Sequence, residues 1–262
     1  MIMKMQIGAQ FYTIREFCRD LNALDESLKK VADIGFKYIQ LSGVCPYEPE
    51  WMAERLKKYG LSCQLTHFDY QRIRNETNTM IRHHDILGCK YIGTGGYGGW
   101  GENFSEDKMN ALFASMVEPT DKIFAAGHKY MVHTHDKEFT RLSDGRLYIE
   151  HLCDYAPAEK MGITLDTYWA HAAGADPAVW LRKLKGRVNC VHFKDMSIDQ
   201  AKGHIVMAPI GEGLMNYDAI LSACEDADVE YGFIEQDDCN GENAFDCLKR
   251  SYNYFKALGY FK

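Results

Sequence analysis

The sequence predicts a single (β/α)8 barrel, an α/β fold of eight parallel strands alternating with helices, over residues 1–262. Three observations predict it. Short apolar runs alternate with stretches of helical periodicity, glycines recur at their junctions 24 to 39 residues apart, and polar residues end the apolar runs. That spacing is typical of repeated strand–helix units.

Glycine marks the start of most predicted strands. Gly35, Gly88 and Gly127 each begin a Gly-x-Lys-Tyr motif in which a helix ends and an apolar run follows. Glycine readily adopts the left-handed conformation that closes a helix, whereas other residues adopt it only with strain. The predicted strands are residues 6–10, 38–42, 62–67, 91–94, 129–133, 162–165, 188–192 and 231–235.

The segments between these strands have helical spacing. Leu24, Leu28, Val31 and Ile34 lie 3 or 4 residues apart, which indicates one buried helix face. The longest helical stretch contains Pro119, which we expect to kink or split it.

An open, doubly wound sheet is a poorer fit to the chain. Such sheets commonly carry a glycine-rich nucleotide loop after the first strand, but residues 11–16 read FYTIRE and contain no glycine. Five glycines instead cluster in residues 95–101, after the fourth strand. This segment is predicted to be either a flexible active-site loop or a phosphate-binding nest.

Composition points to a cytoplasmic protein that acts on small molecules. A net charge of −7 argues against nucleic acid and anionic membranes as partners. The chain has no apolar stretch of the roughly 18 residues that a bilayer span needs, and its first ten residues do not resemble a leader. Nine scattered cysteines, an odd number, are expected to be reduced thiols.

Four polar residues end the fifth to eighth strands: His133, Asp166, His192 and Glu235. The carboxyl ends of barrel strands converge on one site, and burying a carboxylate there is costly without a cation or hydrogen-bond donors. Two imidazoles and two carboxylates suit Mn²⁺, Zn²⁺, Co²⁺ or Fe²⁺ better than Ca²⁺, and Mg²⁺ is an admissible alternative. The sequence therefore predicts one divalent metal ion bound by these four residues.

Other polar residues are weaker candidates. Gln10 and His67 end the first and third strands and are predicted to bind substrate, although a lone strand-end histidine is more often a hydrogen-bonded structural residue. His83, His84 and His128 lie in or near predicted helices and are expected at the surface.

Several motifs resemble one family. HTHDKEF, LDTYWAHAAGADP, HFKD, and IGEGLMNYDAI followed by IEQD are similar to motifs of the xylose isomerase-like TIM-barrel superfamily. The resemblance is to its branch of sugar phosphate isomerases and epimerases, which is related to endonuclease IV. It extends over nearly the whole chain.

The resemblance implies a metal bound by a strand-five Glu, a strand-six Asp, a strand-seven His and a strand-eight Glu. Asp166, His192 and Glu235 match the last three, whereas His133 occupies the fifth-strand position. In xylose isomerase a second glutamate follows the first ligand by five residues, which corresponds here to Glu138. His135 then lies at the offset of that enzyme's active-site lysine, so both are implied site residues, and either His133 or Glu138 would be the fifth-strand ligand.

This site predicts proton abstraction next to a carbonyl through a metal-stabilised enediolate. His135 or Glu235 would transfer the proton, Glu138 would assist, and Trp169 would form an apolar wall against the sugar. Lys194 would neutralise a developing oxyanion, or else pair structurally with its neighbour Asp195.

The predicted activity is a metal-dependent sugar or sugar phosphate isomerase or epimerase. The leading alternative is a lyase or dehydratase acting on a keto-sugar or inosose, including elimination from a 3-keto-glycoside. A non-catalytic sugar-binding barrel is a third possibility, and an acidic chain disfavours a DNA-repair endonuclease. The expected partners are a small carbohydrate and, at most, further copies of the chain in a homo-oligomer.

Overall fold

Eight parallel strands close into a barrel, as predicted. The computed structural model describes residues 5–98, 104–201 and 203–261. The barrel strands are β1 (Gln6–Gln10), β2 (Tyr38–Leu41), β3 (Ser62–His67), β4 (Tyr91–Thr94), β5 (Lys129–His133), β6 (Met161–Asp166), β7 (Cys190–Phe193) and β10 (Tyr231–Ile234). Around the barrel they pair in the order β1, β10, β7, β6, β5, β4, β3, β2. Each strand therefore lies between its neighbours in sequence, and all carboxyl ends share one rim.

Helices surround this barrel. They are α1 (Leu21–Ile34), α2 (Pro49–Tyr59), α3 (Tyr70–Asn75), α4 (Thr77–Leu87), α5 (Glu106–Ala125), α6 (Tyr148–Asp154), α7 (Thr167–Ala172), α8 (Pro177–Lys183), α9 (Tyr217–Asp226) and α10 (Ala244–Ala257). Gly60 and Gly88 end α2 and α4 in the left-handed conformation, with φ of 66° and 61°, and the cap at Gly88 is one that the sequence predicted. Pro119 lies within α5, which stays one helix rather than splitting. In the described ranges no helix is long and apolar enough to cross a membrane.

The barrel interior is closed by large side chains below the rim. Leu65, Tyr91, Met131, Cys190 and Phe233 are fully buried and form a cluster separate from the main core between barrel and helices. Strand side chains alternate between faces, so the residue two positions further along a strand points the same way. The next inward positions are occupied by His67, His133, His192 and Glu235. The interior cluster thus lies beneath a layer of polar residues at the carboxyl rim.

A two-stranded antiparallel sheet, which the sequence did not predict, lies between β7 and β10. Its strands are β8 (Asp195–Ile198) and β9 (Ile205–Ala208). Asp195 fixes the loop that follows, because its carboxylate accepts backbone N–H groups from Met196, Gly211, Gly213 and Met215 at 2.8 to 3.2 Å. The GEG motif therefore folds around a buried carboxylate.

His83 and His84 are buried, so their predicted surface position is wrong. Both lie on the face of α4 that packs towards the barrel. The ring of His84 bonds the Thr66 hydroxyl at 2.7 Å and the Met80 carbonyl at 2.6 Å. His128, also expected at the surface, is half-buried and bonds the Cys89 carbonyl at 3.1 Å. These histidines are structural parts of the helix–barrel packing.

Candidate active site

The four predicted metal ligands converge at the carboxyl rim. His133 ends β5, Asp166 ends β6, His192 lies in β7 and Glu235 follows β10; all four are buried. One potential ligand atom from each lies within 4.8 Å of the other three. His133 Nε2 lies 3.2 Å from Asp166 Oδ2, and His192 Nδ1 lies 3.8 Å from the same oxygen and 2.8 Å from Glu235 Oε2. These four residues could hold one cation between them.

His133 has more acceptors around it than it has protons. Its Nδ1 lies 3.3 Å from the Gly95 carbonyl and its Nε2 lies 3.2 Å from Asp166 Oδ2. Burial, together with the neighbouring imidazoles, holds the pKa of His133 well below its usual range, so the ring is neutral and carries one N–H. One of its two contacts therefore sets a ring lone pair against an oxygen. A cation between Nε2 and Oδ2 would remove that conflict.

The ring of His192 is oriented by Gln40 on β2. Its Nε2 donates to Gln40 Oε1 at 2.7 Å, which leaves the lone pair on Nδ1. That Nδ1 lies 2.8 Å from Glu235 Oε2, yet within the described ranges neither atom has a properly directed hydrogen-bond partner. Two buried electron-pair donors thus face each other, as ligands of a shared cation do.

Both carboxylates have one oxygen held by the protein and the other directed into the cluster. Asp166 caps α7, where its Oδ1 accepts the Trp169 backbone N–H at 2.9 Å. Glu235 Oε1 accepts the side-chain amide of Gln10 at 2.9 Å, and Gln10 Oε1 accepts the Tyr12 backbone N–H at 2.7 Å. Gln10, predicted to bind substrate, is 1% exposed and has both polar groups engaged within the protein. Its hydrogen bond orients the carboxylate of Glu235.

Lys194 supplies a positive charge to this cluster. Its Nζ lies 3.0 Å from Asp166 Oδ2, 3.2 Å from Glu235 Oε2 and 2.8 Å from Asp237 Oδ2. Burial alone would lower the pKa of Lys194, but the three carboxylates outweigh it and raise the pKa above its usual range. Three carboxylates against one ammonium leave two negative charges, which a divalent ion would balance. The charge and the unpaired donor atoms both fit a divalent metal.

Lys194 pairs with carboxylates other than that of its neighbour Asp195. The ion pair with Asp195 does not form, because Asp195 is occupied by backbone N–H groups and Lys194 pairs with other carboxylates. Lys194 is only 2% exposed. Asp237 was not predicted as a site residue; its only sequence signal was the final Asp of the IEQD motif, and the loop after β10 brings it to Lys194.

A cavity of about 700 Å³ opens beside the cluster. His135 lies at its inner end, with ring centroids 4.5 Å from His133 and 5.7 Å from Trp169, and the His67 ring lies 5.4 Å from His192. Burial lowers the pKa of His67 and of His135, so both rings are neutral near pH 7. The lining residues are His67, Phe68, Asp69, Thr94, Gly95, Gly96, Tyr97, Gly98, His135, Asp136, Lys137, Glu138 and Trp169.

Glu138 lies in the cavity wall, outside the quartet. Its carboxylate accepts the backbone N–H of His135 at 2.6 Å, so it holds the turn that carries that histidine. Burial raises the pKa of Glu138 to about 7. Between the two residues considered for the fifth-strand ligand, the structure brings His133 to Asp166, His192 and Glu235.

A family model described as xylose isomerase-like TIM barrel matches residues 28–236. A sugar phosphate isomerase/epimerase from Parabacteroides distasonis is similar in structure, with 19% identity, coverage of 98% of this chain and 100% of that chain, and a TM-score of 0.79. The probable 3-DHS dehydratase AsbF from Bacillus anthracis is 19% identical, with coverage of 96% of this chain and 99% of that chain and a TM-score of 0.74. The IolI protein with a bound zinc atom is 15% identical, with coverage of 98% of this chain and 99% of that chain and a TM-score of 0.74. At these identities the structural likeness shows the fold alone, and no curated protein matches the sequence significantly.

Proposed function

The chain belongs to the xylose isomerase-like TIM-barrel family, and from that premise we propose that it is a metal-dependent sugar isomerase or epimerase. The observation that carries the proposal is the buried quartet of His133, Asp166, His192 and Glu235. Its ring nitrogens and carboxylate oxygens face one another with too few protons to form a hydrogen bond at each contact. The similar IolI structure contains a bound zinc atom, which supports metal binding by this chain.

His133 Nε2, Asp166 Oδ2, His192 Nδ1 and Glu235 Oε2 would hold the ion. Bound there, a divalent metal would polarise a carbonyl and acidify the adjacent C–H bond. Gln40 keeps the lone pair of His192 on Nδ1, and Gln10 keeps Glu235 turned into the cluster. The protein thus fixes the ligand atoms before any ion arrives.

His135 is the group best placed to take a proton from carbon. It lies at the inner end of the cavity, and its lowered pKa keeps the imidazole able to accept a proton near pH 7. Trp169 forms the adjacent apolar wall, and His67 Nε2, buried with no hydrogen-bond partner in the described structure, can bond a substrate hydroxyl. Lys194 pairs with Asp166, Glu235 and Asp237, and we assign it the balancing of charge among these carboxylates.

Elimination by a lyase is a second candidate, and one observation favours it. The fifth strand contributes an imidazole to the cluster, whereas an epimerisation between two opposed carboxylates would need a glutamate there. Elimination needs one base to remove the proton and a leaving group that departs from the neighbouring carbon. The similar dehydratase structure is consistent with the same fold supporting that chemistry.

Hydrogen exchange at carbon tests both candidates. The metal-loaded protein is incubated in D₂O with ketoses, inososes and 3-keto-glycosides, and products are followed by NMR. We expect deuterium next to the carbonyl, with a rate about 10²- to 10⁴-fold lower in His135→Ala. An isomerised or epimerised sugar supports the first candidate, and an unsaturated ketone supports elimination. Binding without exchange for every compound would contradict both and indicate a sugar-binding barrel.

A further inference from the structure

Two cysteine side chains meet where the loop after β10 joins α10. Cys247 lies in the first turn of α10, and Cys239 precedes it in the loop. The loop turns back at Asn240 and Gly241, whose φ values of 52° and 84° lie in the left-handed region. The Glu242 backbone N–H closes this turn by donating to the Cys239 carbonyl at 2.9 Å. The turn thus returns Cys239 to the helix, where its thiol donates a hydrogen bond to the thiol of Cys247.

This hydrogen bond makes the pair easier to deprotonate than a single buried thiol. It lowers the pKa of Cys247, the acceptor, against the burial that would raise it, and it raises the pKa of Cys239, the donor. One thiolate is thus shared between two sulfurs, and transfer of the bridging proton places the charge on either of them. Because the thiolate is the form that reacts with oxidants, the contact makes the pair more reactive.

Oxidants reach the pair through Cys239, which is half-buried, whereas Cys247 is 1% exposed. Cys63 and Cys89 provide a comparison inside the same chain. Their Sγ atoms lie 3.9 Å apart, but neither residue is more than 1% exposed. Burial also raises the pKa of Cys89 well above its usual range. Two thiols in contact are therefore reactive in the loop and inert beside β3.

The same loop holds a carboxylate of the polar cluster. Asp237, two residues before Cys239, accepts two hydrogen bonds from Lys194 Nζ at 2.8 and 2.9 Å. Its backbone carbonyl accepts from Arg15 Nη2 at 3.0 Å. A disulfide bond of about 2.05 Å is shorter than a hydrogen bond between two thiols, so closing it draws Cys239 towards α10. The displacement reaches Asp237 because a single residue separates it from Cys239.

Asp237 shares Lys194 with two of the proposed metal ligands. The Nζ atom also lies 3.0 Å from Asp166 Oδ2 and 3.2 Å from Glu235 Oε2. When Asp237 is displaced, the ammonium is held by these two oxygens, and a divalent cation that binds them meets stronger repulsion. Oxidation of the loop should therefore weaken metal binding at the rim.

We propose that Cys239 and Cys247 form a reversible disulfide on reaction with a hydroperoxide, and that this disulfide weakens metal binding by the quartet. The Cys239 thiolate attacks one peroxide oxygen, the O–O bond breaks, and the other oxygen takes up a proton and leaves as water or an alcohol. Cys247 then attacks the sulfenic sulfur of Cys239, and the S–S bond forms as water leaves. Two thiols are oxidised to one disulfide, and one hydroperoxide is reduced. The effect on metal rests on the proposed function, whereas formation of the disulfide does not.

Peroxide treatment followed by alkylation and peptide mass spectrometry tests the disulfide. Hydrogen peroxide in small excess over protein should join the peptides that contain Cys239 and Cys247, and dithiothreitol should restore both thiols. Cys239→Ser should abolish this cross-link. Cys63→Ser, from the buried pair, is the matched control and should leave the cross-link unchanged.

Calorimetric titration with Mn²⁺, which binds thiolates poorly, tests the coupling after the peroxide is removed. The oxidised protein should bind Mn²⁺ about fivefold or more weakly than the reduced protein, and dithiothreitol should restore the affinity. Cys239→Ser should give the same affinity before and after treatment, which separates this disulfide from oxidation elsewhere.

Cys239 and Cys247 that stay reduced while Cys45 or Cys153, the other half-buried cysteines, is oxidised would overturn the inference. A disulfide with unchanged Mn²⁺ affinity would overturn its coupling to the rim. Disulfide formation in a protein that binds no Mn²⁺ in either state would leave the reactive pair standing and remove both the coupling and the metal-dependent function.

Discussion

Two groups of buried histidines in this protein look alike by burial and differ in their hydrogen bonds. The rim group includes His133 and His192, with ring centroids 4.3 Å apart; the helix group includes His83 and His84, 5.6 Å apart. Burial lowers the pKa of His84 to about 3 and also lowers that of His133. Burial and a lowered pKa are therefore shared by both groups and do not mark the site.

Hydrogen bonding separates the two groups. Both ring nitrogens of His84 have a suitable partner, the Thr66 hydroxyl and the Met80 carbonyl. His133 and His192 instead direct nitrogens at carboxylates, and His192 Nδ1 has no directed partner among the described residues. Lone pairs that face carboxylates distinguish a candidate metal site from well-satisfied core packing.

The largest expected effect is on metal binding by the rim group. His192→Ala should lower affinity for Mn²⁺ and Zn²⁺ by about 100-fold or more, because it removes a ligand atom and leaves two carboxylates facing a gap. Elemental mass spectrometry after equal exposure to each metal should find about one ion per chain in the wild type and almost none in the variant. No metal in either protein would sink the metal-dependent mechanism.

The helix group should respond in stability and not in metal affinity. His84→Ala removes a buried ring with two hydrogen bonds, and we expect a loss of about 2–4 kcal/mol in the free energy of unfolding. Urea denaturation in EDTA measures this, and titration of the folded variant should give wild-type metal affinity. His128→Ala, at a half-buried neighbour, should cost less. A metal defect in folded His84→Ala would show that the two groups are coupled.

Strand positions could be predicted well because alternation and glycine joints repeat along the chain. The predicted bounds of β1, β3, β4 and β5 agree with the structure. The β8–β9 hairpin was missed because its strands are four residues long and partly exposed. The eight barrel strands already accounted for the apolar runs in the sequence, so no further strands were predicted.

The convergence of the quartet could also be predicted, because its four residues lie at strand ends. The residues that orient the quartet could not, because they lie on strands distant in sequence. Gln40 and His192 are 152 residues apart in sequence, and no local pattern pairs them. The burial of His83 and His84 had a local signal: Met80 and Leu87 place both histidines on one helix face. Histidine is usually a surface residue in helices, and here the helical spacing is the better indicator of burial.

Glu138 provides a pH-dependent test of a buried acid that belongs to neither histidine group. Its pKa is raised to about 7 by burial, so near pH 6 the folded protein holds a proton that the unfolded chain has released. The contribution of Glu138 to the free energy of unfolding is then greatest below about pH 4.5, and it falls by about 1 kcal/mol per pH unit until about pH 7. Glu138→Gln keeps an acceptor for the His135 N–H and removes this dependence.

Urea denaturation of both proteins in EDTA at about pH 5 and pH 8 measures the difference. We expect the variant to gain about 2 kcal/mol over the wild type between the two conditions. Parallel curves at both values would mean that the carboxylate is stabilised in the wall as an anion.

The smallest expected effect comes from Gln40, which orients the ring of His192. It tests whether a hydrogen bond on one ring nitrogen controls metal binding by the other. Gln40→Leu removes the acceptor that holds the ring proton on Nε2, so Nδ1 is protonated for part of the time and is then unable to bind a cation. Metal affinity should fall by about tenfold, the low end for a residue that orients a ligand. Gln40→Glu, which keeps an acceptor oxygen, should restore it. Calorimetric titration with Mn²⁺ reads this without any substrate. Equal affinity in wild type and Gln40→Leu would mean that the carboxylates alone orient His192.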